Sequence, residues 1–345
     1  MKIEEYLSSK NKSEIILMGG SLTKVIDADK VIIKLYQGPH ERGYEKLANE
    51  IKYLENIPIH IEKYFPKVIE KLEDSNFIAY SLHKYNLQSI TELVLNNLFP
   101  IGQIANHVNY ILEKLNQDFY SHYFNYNQNI YFEQFYINRW RNIDHFFRVN
   151  YTNIYTLDVI DLNGCELKNL RFYIDRLCDD NELKELLVPN QLSYFHGNFH
   201  LANILSDLNN FILIDPRGEL LGDKYYDYSK YYSHLVTSYD QIHFDQFKFQ
   251  KDNNRYRIGL LNKIHNLNNR VLLKSYLEYL STKNIDLNKI ALMSALNVLS
   301  FATYHARKER INKQRVLSYY MSGLKILNDY FDNKFNNSPI LELLK

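Results

Sequence analysis

Polar and apolar residues alternate early in the chain and recur at helical spacing over most of the rest. Residues 15–18 (Ile, Ile, Leu, Met) run into Gly19, Gly20 and Ser21; Lys24, Val25 and Ile26 follow, then a polar turn at 27–30, then the run 31–36. This order predicts strand, glycine turn, strand, polar turn, strand. Side chains alternate faces along a strand, so Val31, Ile33 and Leu35 share one face and Ile32, Lys34 and Tyr36 the other. Lys34 is thereby set on an otherwise apolar face, where an ammonium needs a partner or a ligand.

The spacing predicts a helix over 41–55, with Tyr44, Leu47, Ala48, Ile51 and Leu54 on one stripe and Pro58 closing the segment. Glu50 shares that stripe, three residues after Leu47 and four before Leu54. Glu50 and Lys34 can satisfy each other. Glu45 is the rival partner, and the alternative to any pair is an edge lysine that snorkels beside a solvated acid. Two further strands are expected at 65–69 and 77–82 around a turn at 74–76, then a helical stretch from Ser89. Residues 101–187 read as mostly helical, and so do 258–330, with 290–302 as core. Five strands and one helix followed by helices predict an α+β fold. A small antiparallel-sheet lobe would span residues 1–85 and a mainly helical lobe 86–345. The stretch from Leu82 to Tyr85 would be the hinge between them.

Composition narrows the class. The chain has 345 residues, 46% hydrophobic and 23% charged, enough to bury a large core. Its 41 basic and 40 acidic residues give a net charge of +1, which disfavours nucleic acid as a partner. No apolar run approaches the ~20 residues of a spanning helix, and the first ten residues hold no secretory signal. Cys165 and Cys178 have no metal or redox spacing, so a reducing cytoplasm is expected. Arg139, Arg141 and Arg148 lie beside aromatics, and His305, Arg307, Lys308, Arg310 and Lys313 form a basic run. Both are read as solvated helix faces.

The chemistry concentrates at 194–218, YFHGNFHLANILSDLNNFILIDPRG. Residues 204–205 and 211–214 predict a hairpin whose ends bring Asn203 beside Asp215. Two hard oxygen donors placed together suit Mg²⁺, which takes one or two protein groups plus phosphates and water. His196 and His200, four apart, raise a zinc reading, but no third ligand is near. Arg217 follows Pro216; its planar fork matches a phosphate or carboxylate of an acceptor. Alternatively it braces Asp223 or Asp227.

At this point the chain resembles the aminoglycoside/choline phosphotransferase group of the protein kinase-like superfamily. That group carries His-Gly-Asp-x-x-x-x-Asn and then Ile-Asp, where this chain has His196-Gly197-Asn198, Asn203 and Ile214-Asp215. Gly222-Asp223, Tyr226-Asp227 and Lys230 are similar to the segment that follows. Asp-Pro-Arg-Gly after the hairpin is similar to kinases of bacterial surface polysaccharide synthesis. The resemblance implies a two-lobe protein kinase-like fold and a cytoplasmic, ATP- and Mg²⁺-dependent phosphotransferase acting on a hydroxyl of a small-molecule acceptor: a sugar, sugar derivative or amino alcohol. It implies Gly19, Gly20, Ser21, Lys34, Glu50, Leu82 and Tyr85 at the nucleotide, with Asn203 and Asp215 on the metal. It also implies His196 as a loop-fixing residue. The group's proton acceptor is replaced by Asn198, and an amide takes no proton at neutral pH. His200 is the substitute base to consider, or else a packed loop histidine. The competing expectations are a pseudokinase or nucleotide-binding scaffold, and transfer of AMP on the same fold.

Overall fold

The computed structural model describes residue 3 and residues 16–17, 23–38, 41–306 and 312–332. Ile16–Leu17 (β1), Lys24–Ala28 (β2), Val31–Gln37 (β3), Val68–Asp74 (β4) and Phe77–His83 (β5) form one antiparallel sheet in the order β1-β2-β3-β5-β4. The alternation along β3 is realised. Val31, Ile33 and Leu35 pack with Ile26, Ala28 and Ala79 on one face. On the other, Ile78, Tyr80 and Leu82 meet Tyr44, Leu47 and Ile51 of the helix Arg42–Glu55. Lys34 lies on this helix-covered face, opposite Tyr80 in the ladder.

The C-terminal part is mainly helical. Its core is built on the helices Ile101–Asp118, Lys224–Val236, Lys263–Thr282, Leu287–His305 and Lys313–Phe331. The Leu287–His305 helix is apolar nearly all round and lies inside, as such a helix must. Asp223, Asn262, Asp286 and Asn312 cap four of these helices through side-chain oxygens. Small sheets fill the gaps. Gln88–Ser89 (β6), Val159–Leu162 (β7), Cys165–Lys168 (β8), Ser193–Tyr194 (β9), Ile204–Ser206 (β10), Phe211–Leu213 (β11), Leu221–Gly222 (β12), Phe247–Asp252 (β13) and Arg255–Leu260 (β14) pair as β11-β10-β6, β12-β9 and β13-β14-β7-β8. This is the α+β arrangement expected, with an antiparallel sheet first and helices after.

Several local expectations need correction. The strand expected at 65–69 begins at Val68 and runs to Asp74, because Pro66 has no N–H to give a ladder and Phe65 turns into the core against Tyr53 and His196. The helical reading of 101–187 is interrupted by β7 and β8. They are joined at Asn163-Gly164, both with positive φ (52° and 86°), the two-residue hairpin turn such a pair favours. The helical reading from 258 starts too early, since β14 reaches Leu260 and the helix starts at Lys263. Arg139 is not on a solvated face: it reaches Asn297 Oδ1 at 3.3 Å and Ser300 Oγ at 3.1 Å. His305 is buried and stacked on Tyr319. Arg307, Lys308 and Arg310 lie outside the described residues. Among the described residues, no helix is long and apolar enough to cross a membrane.

Candidate functional site

Lys34 is the meeting point of three elements. From β3 its Nζ lies 2.5 Å from Glu50 Oε1 on the Arg42–Glu55 helix and 3.0 Å from Asp215 Oδ1 at the end of the hairpin. Lys34 and Glu50 are both buried, whereas Glu45 is exposed, so Glu50 is the partner. Burial alone would lower the Lys34 pKa; the carboxylates of Asp215 and Glu50 outweigh it and hold the ammonium charged. Lys46, which the sequence reading passed over, also reaches Asp215 Oδ1, at 3.4 Å. It sits four residues before Glu50 on one helix face, a spacing that could have flagged it.

The loop before the hairpin is fixed by buried partners. Asp227 accepts the backbone N–H groups of His196 (2.8 Å) and Gly197 (2.7 Å) and the Tyr120 hydroxyl (3.0 Å). Burial pushes the Asp227 pKa up, and these donors restrain it to about 6. Tyr53 donates to the Phe195 carbonyl at 2.8 Å, tying the Arg42–Glu55 helix to the loop. His196 Nε2 donates to the Ile214 carbonyl at 3.0 Å, and its Nδ1 accepts from the Asn198 N–H at 3.2 Å. With both ring nitrogens engaged and burial lowering its pKa to about 4, His196 is a neutral brace. It therefore offers no lone pair to zinc. Among the described residues, no group of three or more His, Cys, Asp or Glu side chains is placed to hold a metal ion.

Asp215 leaves the hairpin in a left-handed conformation, φ 56°, a geometry Asp tolerates better than most residues. The turn brings the Arg217 N–H to the His196 carbonyl at 3.0 Å. Asn198 Nδ2 donates to Asp215 Oδ2 (2.9 Å) and to its carbonyl (3.1 Å). Asn203 Nδ2 donates to the Asn198 carbonyl at 2.9 Å, which leaves its amide oxygen as the donor atom for a cation. The backbones of Asn203 and Ile214 are bonded at 3.0 Å, so Asn203 and Asp215 are held together. Burial would raise the Asp215 pKa, but Lys34 and Lys46 hold the carboxyl far below the usual range. A carboxylate that gathers two ammonium groups and an amide N–H is set to receive positive charge. Together with an amide oxygen it is a hard donor pair that fits Mg²⁺.

The remaining expected residues are distributed unevenly. The Arg217 guanidinium lies over the rings of Phe135 (4.7 Å) and Tyr226 (4.9 Å) and pairs with Glu219 at 3.2 Å. It braces neither Asp223, which pairs with Lys289 at 2.8 Å, nor Asp227, which holds the loop. The His200 ring stacks on His234 at 4.0 Å, and burial pushes its pKa well down. In the stretch expected to be a hinge, the N–H groups of His83 and Lys84 donate to the carbonyls of Lys67 (3.3 Å) and Lys30 (3.2 Å). Leu82 is buried in the sheet and Tyr85 lies against His83. Gly19, Gly20 and Ser21 lie outside the described residues.

Two surface cavities lie apart from this centre. One of about 350 Å³ is lined by Val94, Leu98, Phe99, Ile104 and Asn268 among others. Another of about 490 Å³ is lined by Tyr123, Pro189, Asp223 and Lys289 among others.

No family model matches the chain, and no curated protein matches it. Among solved structures it is similar to a glucosamine kinase, at 12% identity and a TM-score of 0.48, covering 91% of this chain and 74% of that one. It is also similar to a choline kinase from Cryptosporidium parvum Iowa II, at 10% identity and a TM-score of 0.46, covering 96% and 93%. At these values the likeness carries nothing about activity or substrate.

Proposed function

We propose that the chain is a cytoplasmic phosphotransferase that moves phosphate from ATP, with Mg²⁺, to a hydroxyl of a small molecule. The acceptor class is a sugar, sugar derivative or amino alcohol, and the setting is capsule or surface polysaccharide synthesis. Residues 1–85 would act as the nucleotide lobe and 86–345 as the acceptor lobe. The observation that most supports this is Lys34 bonded at once to Glu50 and Asp215 across 181 residues of chain. Phosphoryl transfer asks the protein mainly for positioning and charge, and this trio supplies both.

Lys34 is the phosphate-binding cation, held extended by Glu50. Asn203 and Asp215 are the metal-binding pair. Bound there, Mg²⁺ would draw negative charge off the phosphate oxygens. Asn198 keeps its amide N–H on Asp215 and offers Oδ1 to the acceptor hydroxyl. It orients the nucleophile without deprotonating it, so the proton passes to the phosphoryl oxygens or to water. A general base contributes about 10²–10⁴-fold, so the enzyme is slow and not inert. We leave His200, packed on His234, outside the proposed catalytic set.

Thermal unfolding with ATP, Mg²⁺ and both tests this reading, using the native chain and Asp215→Ala. A ligand at 100 times its Kd stabilises by about 2.7 kcal/mol. The native chain should gain only when both are present, and Asp215→Ala should gain nothing. Absence of any native shift would refute the reading. One observation favours a second reading: Asn198 occupies Asp215 Oδ2 from within the chain, as a nucleotide-binding scaffold without turnover would permit. Turnover that appears only in Asn198→Asp would favour that scaffold.

A further inference from the structure

Beside the phosphoryl-transfer centre, two arginines lie over one tyrosine ring, and a lysine follows that tyrosine by one helical turn. The Arg139 guanidinium lies 5.5 Å from the Phe135 ring and 5.4 Å from the Tyr226 ring. Arg217 sits over the same two rings at 4.7 and 4.9 Å. Lys230, one helical turn after Tyr226, lies 4.4 Å from the Phe301 ring. Phe135 and Tyr226 themselves meet edge to face at 5.2 Å.

The cations outnumber their counter-charges. Among the described residues the only carboxylate paired with this group is Glu219, itself 56% exposed, against Arg217. Arg139 is bonded to the neutral Asn297 and Ser300 side chains and to the Tyr226 phenol, and to no carboxylate among the described residues. Nη1 of Arg139 and Nη1 of Arg217 are both buried without a hydrogen-bond partner. Buried guanidinium donors left empty are costly, and a planar fork matches a tetrahedral or planar oxyanion. The position is also informative. Arg217 Cβ would stand 2.6 Å from any Cβ on Gly197, so its stem packs on the loop that carries Asn198. An oxyanion on Arg217 is therefore seated beside the residue that meets the acceptor hydroxyl.

We propose that Arg139, Arg217 and Lys230 form an anion subsite for the acceptor, which is therefore a hydroxylated molecule bearing a phosphate or carboxylate group. This inference rests on the phosphotransferase reading for the word acceptor; the anion site itself does not. The charge state of Tyr226 is consistent with an underneutralised cluster. Burial would raise its phenol, yet Arg217, Arg139 and Lys230 bring it down to about 7.

The test uses the full chain and inorganic phosphate as probe, with glycerol 3-phosphate, glycerate and uncharged glycerol as the organic series. Binding is read by calorimetry with and without saturating Mg-ATP. Phosphate should bind the native chain in the presence of Mg-ATP, and glycerol should not bind. Arg139→Gln and Arg217→Gln should each weaken phosphate by about 10- to 100-fold, the value of one charge-assisted contact, while still binding Mg-ATP, which also reports that they fold. Tighter glycerol 3-phosphate than glycerate assigns the source as a phosphate ester, and the reverse order a carboxylate. Three results would overturn the proposal: no phosphate binding by the native chain, equal binding by the variants, or displacement of phosphate by Mg-ATP. The last would mean that the cations serve the nucleotide. Failure of the native chain to bind Mg-ATP would sink the phosphotransferase reading instead, and leaves the phosphate comparison intact.

Discussion

Asn198→Asp restores the carboxylate that the resembled group carries and should make the unliganded chain less stable. In the native chain the Asn198 amide donates to Asp215 Oδ2 at 2.9 Å and to the Asp215 carbonyl at 3.1 Å. The substitution turns both contacts into oxygen against oxygen. Two unit charges about 4 Å apart repel by about 4 kcal/mol at an effective dielectric of 20. Lys34 and Lys46 on Asp215 Oδ1 offset part of this, and Asp215 is 25% exposed, so about 2–4 kcal/mol is expected. The unfolding entropy of a chain this long is about 0.7 kcal/mol per kelvin, so the melting point should fall by about 3–6 °C. The sign with pH follows. Repulsion raises the introduced carboxyl's pKa above its unfolded value near 4. The penalty therefore begins above pH 4, grows until pH reaches the raised value and then levels off, so it is smaller at pH 5 than at pH 8. Mg²⁺ should reverse it, since a dicarboxylate holds a divalent cation more tightly than a carboxylate and an amide do. Calorimetric melting of both chains at pH 5 and 8, with and without millimolar MgCl₂, decides the matter. Equal melting points without metal, together with equal Mg²⁺ increments, would refute the idea that Asn198 acts on Asp215.

Glu50→Gln removes one charge of a buried pair while Lys34 keeps Asp215, so a loss of about 2–4 kcal/mol is expected, read from the urea midpoint. Gly197→Ala places a Cβ 2.6 Å from Arg217 Cβ at a φ of 74°; it should cost about 1–3 kcal/mol in urea unfolding and weaken phosphate binding by moving Arg217. Tyr226, faced by Arg139, Arg217, Lys230 and Glu219, titrates near 7, and burial with its neighbours brings Lys230, which also faces Asp215, to about 8. The first adds a negative charge and the second removes a positive one, so binding of sulfate, whose own charge is constant, should weaken between pH 7 and 9. A phenolate absorbance step near neutrality should vanish in Tyr226→Phe. Buried neutral His196 must charge in acid: its folded pKa near 4 lies below the unfolded value near 6.5, so stability falls as pH drops from 6.5 to 4. His196→Gln should show a shallower fall in that window.

What the sequence made legible is short-range or periodic. Strand alternation put Lys34 on the helix-covered face and helical spacing put Glu50 there, so their pairing needed only that the helix pack on the sheet. The hairpin carried Asn203 to Asp215 because its turn is local. Arg139 could not be read this way. Its partners Asn297 and Ser300 are 158 and 161 residues distant, and nothing in the 3.6-residue period around it distinguishes a buried arginine from a solvated one. His305 is misread for the same reason, since Tyr319 covers it from another helix. Asn163-Gly164 is different: a two-residue hairpin signal stands in the sequence itself, inside a stretch read as mostly helical.

On the proposed phosphotransferase reading, the absence of a base at Asn198 and the surplus of cations at Arg139, Arg217 and Lys230 belong to one account. A general base supplies about 10²–10⁴-fold, whereas holding a nucleophile in line with its target can supply effective molarities of about 10⁵–10⁸ M. A neutral acceptor would rely on hydroxyl contacts for that alignment. An anionic one is gripped by two guanidinium forks, one packed on the loop that carries Asn198, which fixes the hydroxyl at a set distance from the grip. The same cations lower the energy of negative charge gathering on the acceptor oxygen as the new bond forms, so less is asked of proton removal. On this account an arginine variant should lower turnover with an anionic acceptor more than Asn198→Asp raises it, and steady-state rates for those two variants measure which term dominates.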